Sequence, residues 1–259
     1  MRPHRSQKFN NRPDQETTLK DPPRTIRRSV NVLLFSLALT ACSSNTLEDD
    51  SLPPGTNYYI SFFGDSRDGN HVYSQLQSRS VKSGLPLAAI HLGDMISTPK
   101  NNEQWPAFIS ITKTYFKDEI FYPVIGNHDV EDSKSLGIFR AAFPKTPETG
   151  YNIRSIGDCF CVFLNSEDLE TKPGIIGPTQ IAWLESEFAS EAGQSAKYRI
   201  VFVHRPLFPQ NHHKDKPLEP QNQLHQIFNN NKVDMVVAGH EHSYSKTTVD
   251  DVIYLNWPL

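Results

Sequence analysis

The sequence predicts an α/β domain. Three observations carry that prediction. Five short, unbroken apolar runs read as buried strands, segments with helical spacing lie between them, and each run stops at a glycine or histidine followed by polar side chains. None of those terminal side chains suits a core. Five strand ends that carry carboxylate, amide or imidazole groups point to one shared site along one rim of a sheet.

The chain ahead of that domain reads as a separate segment. Residues 1–29 are polar and basic, with Arg24, Arg27 and Arg28 close to an apolar run from Val32 to Leu39 that is too short to span a bilayer. It ends in Leu39-Thr40-Ala41-Cys42, so residues 1–41 are expected to be an export signal. The small residues before the cysteine resemble the bacterial lipobox. That resemblance implies lipidation of Cys42, a tether over residues 42–56, and a stable anchor in the cell envelope through several acyl chains. Ser43 after the cysteine resembles lipoproteins passed to the outer membrane, where the cell has one. A plain signal peptide with an incidental cysteine is the alternative. Arg27-Arg28 distantly resembles a twin-arginine signal, which Ile26 and Val30 fit poorly.

Residues 1–41 hold eight of the 26 basic and three of the 29 acidic residues, so the rest has 18 basic against 26 acidic, a net charge of −8. An acidic body excludes nucleic acid as the expected partner. Ser43 to Thr56 is polar and acidic with Pro53-Pro54-Gly55, as a tether should be. Residues 57–259, without internal repeats, then suffice for one domain with a full core.

Within that domain, Tyr58 to Phe63 is a strand running into Gly64-Asp65, and His71 to Lys82 a helix. Leu87 to Leu92 is the next strand, ending at Gly93-Asp94. A helix over Trp105 to Phe116 carries Pro106 in its first turn, where proline is tolerated. The strand from Phe121 to Ile125 ends at Gly126-Asn127-His128-Asp129, and a helix follows near Ser135 to Phe143. Cys159 and Cys161 lie two apart on a strand and therefore share a face, where two packed thiols are expected over a strained bridge or redox pair. Gly177-Pro178 opens a helix containing Gln180, Trp183 and Leu184. Tyr198 to Val203 is a strand ending at His204, Gln221 to Asn230 a helix, and Val233 to Ala238 a strand ending at Gly239-His240-Glu241-His242.

In order, Asp65-Ser66-Arg67, Gly93-Asp94, Gly126-Asn127-His128-Asp129, His204 and Gly239-His240-Glu241-His242 resemble the motif blocks of the calcineurin-like metallophosphoesterase family. Four of the five match. The first has Arg67 where the family usually has a ligand histidine. The resemblance spans Tyr58 to His242 and implies a four-layer αββα sandwich of two mixed sheets flanked by helices. It implies two divalent cations, drawn from Mn, Fe, Zn or Ni, with Asp94 bridging them. Asp65 and His242 would hold one, and Asn127, His204 and His240 the other. His128 would act as general acid on a small phosphate ester, with Asp129 orienting its ring.

A guanidinium cannot take the place of an imidazole ligand. The Asp65-side ion is therefore expected to be weak, absent or completed by water, with a single-metal enzyme as the alternative to a two-metal one, and with Arg67 pairing with Asp65 or gripping a phosphoryl oxygen. The tyrosine that recovers a ligand in purple acid phosphatases is replaced by Ser97. Arg205 is expected either to hold phosphate or to be structural. His71, His91, His212, His213 and His225 match no motif and are expected on the surface or packed. Relatives continue through further strands past the last motif, so the ending at Leu259 reads as short. Hydrolysis of phosphate esters is the leading expectation. The alternatives are a diesterase on nucleotides or phospholipid headgroups, and a catalytically weak lipoprotein that binds a phosphorylated ligand.

Overall fold

A computed structural model describes residues 58–99, 103–210 and 216–257, together with two short strands, β1 (Val32–Leu33) and β2 (Ser36–Leu37), which pair antiparallel. The Cys42 lipidation site, the tether, and His212 and His213 lie outside the described residues, as does the expected export signal apart from those two strands. No helix among the described residues is long and apolar enough to cross a membrane.

The domain starts with β3 (Ile60–Phe63), α1 (Asn70–Ser80), β4 (Ala88–His91), α2 (Gln104–Tyr115), β5 (Phe121–Pro123) and α3 (Ser133–Ala142). The second half runs β6 (Asn152–Ile156), β7 (Cys159–Phe163), α4 (Pro178–Ala189), α5 (Glu191–Ser195), β8 (Tyr198–Val203), α6 (Gln221–Asn230), β9 (Met235–Ala238), β10 (Ser245–Val249) and β11 (Val252–Asn256). Strands β3, β4 and β5 make a small sheet that is parallel throughout. The larger sheet runs β10-β11-β9-β8-β7-β6, with four parallel central strands and antiparallel edges at β6 and β10.

Alternation along the central strands explains why they read as unbroken apolar runs. On β7, Phe160 and Val162 face Leu184 and Phe188 of α4 and Leu224 and Phe228 of α6, while Cys159, Cys161 and Phe163 face the small sheet. Ile60, Ala88, Ile90 and Val124 close that inter-sheet core from the other side. Beyond the small sheet, Phe63, Ala89 and Phe121 pack on Tyr73, Trp105, Phe108 and Phe139 of α1, α2 and α3. The order is helix, sheet, sheet, helix. Both inner cysteines are free, buried thiols, as packed residues should be.

Helix starts follow local chemistry. Asp132 caps α3, accepting from the Ser135 amide at 2.8 Å while Ser135 Oγ accepts from the Asp132 amide at 2.9 Å, so the helix begins two residues earlier than its apolar spacing suggests. Pro178 opens α4, whose Gln180 side chain bonds both the amide and the carbonyl of Asn165, at 2.9 and 3.0 Å. That ties the helix to the end of β7. After the last motif the chain adds the β10–β11 hairpin, turning at Asp250 and Asp251 with φ of 45° and 69°.

His91 is fully buried between Tyr73 and Phe108, each edge-on to it. The Gly93 amide donates to its Nδ1 at 3.3 Å, so Nε2 carries the proton and donates to Ser66 Oγ at 2.9 Å. Burial pushes this imidazole down to about 3. The unfolded chain therefore binds a proton that the folded chain refuses between those limits, and stability falls as pH drops below 6.5. We predict that His91→Gln loses about 2 kcal/mol less than the natural protein between pH 6.5 and 5 in urea unfolding with EDTA present. Equal losses in both proteins would contradict this.

Candidate metal centre

The site is built where the two sheets present their strand tips. Asp65 follows β3, Asp94 follows β4 and His240 follows β9, and all three adopt left-handed backbone, with φ of 55°, 58° and 71°. Side chains rarely take that conformation, and it persists only where surrounding bonds impose it. Here the Asp65 amide donates to the Gly93 carbonyl at 2.9 Å, and the Gly239 amide to the His204 carbonyl at 3.0 Å. The His240 amide donates to both Asp65 carboxylate oxygens, at 3.1 and 3.0 Å. Gly93 and Gly126 are required for the tips to approach. A methyl at Gly93 would lie 2.7 Å from His204 Nδ1, and one at Gly126 would overlap the Asp94 amide.

Ligand atoms of Asp94, His204 and His240 lie within 4.8 Å of one another, and so do those of Asp65, Asp94 and His242. Asp94 is common to both clusters. His204 is fully buried and donates its Nδ1 proton to the Leu92 carbonyl at 2.8 Å, which leaves the Nε2 lone pair facing inward. That nitrogen stands 2.9 Å from Asn127 Oδ1, 3.2 Å from His240 Nδ1 and 3.4 Å from Asp94 Oδ1. A lone pair directed at an amide oxygen and a carboxylate calls for positive charge between them, which either a proton or a metal ion satisfies. The donor set of nitrogen and oxygen fits Mn, Fe, Zn or Ni.

The field of the site has the same sense. Burial pulls the His204 imidazole down, but Asp94, Asp65, Glu167 and the Leu92 carbonyl outweigh it and hold the ring above its ordinary value. Burial pushes Asp94 up, yet His204, the His128 amide and ring, and Arg67 bring its carboxyl below the usual range. A hydrogen bond to Asp65 raises His242.

Asp129 does not orient the His128 ring. Its buried carboxylate accepts from the amides of Gly126, Asp94 and Met95, at 2.9, 2.9 and 2.8 Å, and so holds the two ligand loops in register. Burial and then the Asp94 charge push it up to about 7. The ring is oriented instead by the Ser97 carbonyl, 2.7 Å from Nδ1, while Nε2 points inward, 3.9 Å from Asp94 Oδ2. The His128 amide also donates to Asp94 Oδ1 at 2.9 Å. Ser97 thus serves through its backbone, and no sequence pattern signals that.

Arg67 lies against the two histidines rather than pairing with Asp65. One guanidinium nitrogen contacts His128 Nε2, and the other stands 3.2 Å from His242 Nε2. Arg205 is held by two bonds to buried Glu167, at 2.7 and 3.2 Å, and reaches His240 Nε2 at 3.2 Å. Its role in the structure is thus an anchored one beside a ligand. Neither Glu167 nor Glu241 was expected from sequence. Glu241 is buried between the two motif histidines and accepts from the Gln210 amide and Asn256 Nδ2. Its place inside the last motif was the available signal. His91 and His225 lie apart from the cluster, His225 bonding Tyr254 and Asp250.

The description of the calcineurin-like phosphoesterase family matches residues 60–244. No curated protein matches the chain. Among solved structures, a dimetal phosphatase from Danio rerio superposes with a TM-score of 0.64 at 11% identity, covering 78% of this chain and 87% of that one. A purple acid phosphatase, PPD1, from yellow lupin (Lupinus luteus) seeds gives 0.60 at 15% identity over 78% of this chain and 46% of its own. TT1561 of Thermus thermophilus gives 0.53 at 10% identity, over 78% and 89%. Identities this low establish a shared fold, in which both sheets and their helices recur. Because the matched residues run from the first strand of the small sheet past both motif histidines after β9, the chain belongs to the calcineurin-like phosphoesterase family and is a metal-dependent phosphoric ester hydrolase.

Proposed function

We propose that the protein hydrolyses small phosphate esters at the Asp94-centred site, with His128 delivering the proton to the leaving oxygen. The observation that carries this reading is the Asp94 carboxylate itself, shared by both donor clusters and 3.9 Å from His128 Nε2. A divalent cation held by Asp94 with Asn127, His204 and His240 would supply Lewis acidity and lower the pKa of the attacking water, and Asp65 and His242 are the groups that would hold a second with Asp94.

The chain's own groups do the remaining work. The Ser97 carbonyl keeps one proton on His128 Nδ1, so Nε2 is the atom that takes up a second proton from solvent and passes it to the leaving oxygen, returning the ring to neutrality. In the resting arrangement Nε2 meets the Arg67 guanidinium, a contact that gives way when a leaving oxygen takes its place. The Leu92 carbonyl keeps His204 Nε2 directed inward, and Asp129 fixes the loops that present Asp94 and Asn127. The Arg67 guanidinium, set against His128 and His242, is the chain's own positive charge for a phosphoryl oxygen at this site.

The composition of residues 1–42 supports an envelope location with Cys42 as the lipidated anchor. One assay tests both parts. Membranes from expressing cells should hydrolyse para-nitrophenyl phosphate or its bis ester with Mn²⁺ and lose that turnover in EDTA, and Cys42→Ser should move the activity to the soluble fraction. The ratio of the two substrates assigns the ester class. Turnover of neither ester in the presence of metal would leave the phospholigand-binding alternative standing.

A further inference from the structure

We propose that Arg67 is a tethered cation occupying the Asp65 side of the centre, so that the resting protein holds one tight divalent ion rather than two. The proposal rests on the metallohydrolase reading of the same site and departs from the two-ion occupancy which that family implies. A metal bound by Asp65, Asp94 and His242 needs the inward lone pair of His242. That nitrogen, Nε2, stands 3.2 Å from one guanidinium nitrogen of Arg67 and 3.6 Å from Asp65 Oδ1, and the second arm of the same guanidinium rests on His128 Nε2. A guanidinium never gives up its charge and offers no lone pair, so it excludes a second cation both by repulsion and by taking the ligand.

The arm is firmly rooted. The Arg67 amide donates to the Asp94 carbonyl at 3.0 Å, which fixes the residue to the loop that carries the shared carboxylate. The opposite side of the centre offers a contrast. Arg205 also touches a ligand histidine, but at the outer His240 Nε2, while Nδ1 of that ring stays 3.2 Å from His204 Nε2. Its charge is also matched by two bonds to Glu167. The Arg205 charge is therefore spent within its pair with Glu167, whereas the Arg67 charge is set against the Asp65 side of the centre. Asp65 and Asp94 still require a countercharge on that side, and the guanidinium supplies one positive charge there, placed to grip a phosphoryl oxygen.

Metal stoichiometry tests this without reference to turnover. The purified full-length protein is stripped with chelator, titrated with Mn²⁺ or Zn²⁺ by calorimetry, and its bound metal counted by plasma mass spectrometry. The natural protein is expected to bind about one tight equivalent and Arg67→His about two, with second-ion affinity raised at least tenfold. Arg67→Lys, which keeps the charge, should stay near one. Adding Asp65→Asn to Arg67→His should return the count to about one, which places the gained ion on the Asp65 side. Circular dichroism of each variant confirms that a low count reflects a lost ligand and not a lost fold. Two tight equivalents in the natural protein, or one in Arg67→His, would overturn the proposal while leaving the metallohydrolase reading intact. No bound metal in any folded variant would overturn both.

Discussion

Asp94→Asn is expected to lower metal-dependent kcat/KM by on the order of a thousandfold or more, or about 4 kcal/mol of transition-state stabilisation. The size follows from position. Asp94 is the one carboxylate common to both donor clusters, so its charge cannot be replaced by a neighbour. Asparagine keeps the shape and the oxygen that accepts the His128 amide at 2.9 Å, and it leaves the Asp129 bond to the residue 94 amide untouched. The variant should therefore fold and fail only in holding the cation. Measuring bound metal and turnover on the same preparation checks this. A variant that keeps both would remove Asp94 from the centre of the account.

The second large effect concerns the proton. His128→Gln should retain the metal bound at the His204 side, because His128 belongs to neither donor cluster, and yet lose about 10²- to 10⁴-fold in kcat. The loss should depend on the leaving group. An alkoxide leaves only with a proton, whereas para-nitrophenolate is weakly basic and leaves readily without one. The ratio of kcat between the natural protein and His128→Gln should be several-fold larger for an alkyl phosphate than for para-nitrophenyl phosphate. Equal ratios would mean that His128 positions or binds substrate without transferring a proton.

Much of this centre is legible in the sequence because its ligands sit at strand tips. Gly64-Asp65, Gly93-Asp94 and Gly239-His240 mark abrupt ends to apolar runs, and the structure shows why each glycine precedes a polar residue in strained backbone. The unbroken hydrophobicity of β7, β8 and β9 likewise reports burial on both faces. Arrangement into two stacked sheets is not legible that way, since the same runs would suit one sheet covered by helices on both sides. It came only with the motif resemblance.

What escapes sequence reading has identifiable causes. Strand β10, Ser245–Val249, alternates half-buried and exposed positions at a sheet edge and lacks an apolar run, and its hairpin turns on Asp250-Asp251 rather than Asn-Gly. The orienter of His128 is the carbonyl of Ser97, and backbone acceptors carry no residue identity. Asp129, next to His128 in sequence, turns its side chain inward to three amides, whose hydrogen bonds offset part of the cost of burying it, and adjacency in sequence gives no sign of that direction. Arg67 meets partners 61 and 175 positions away, contacts that only the folded chain brings together.

Anomalous scattering from crystals grown with Mn²⁺ addresses the convergence of ligands most directly. A peak in coordinating contact with Asp94 Oδ1, Asn127 Oδ1, His204 Nε2 and His240 Nδ1 is the predicted result. A peak elsewhere, or none beside those four atoms at saturating metal, would contradict it.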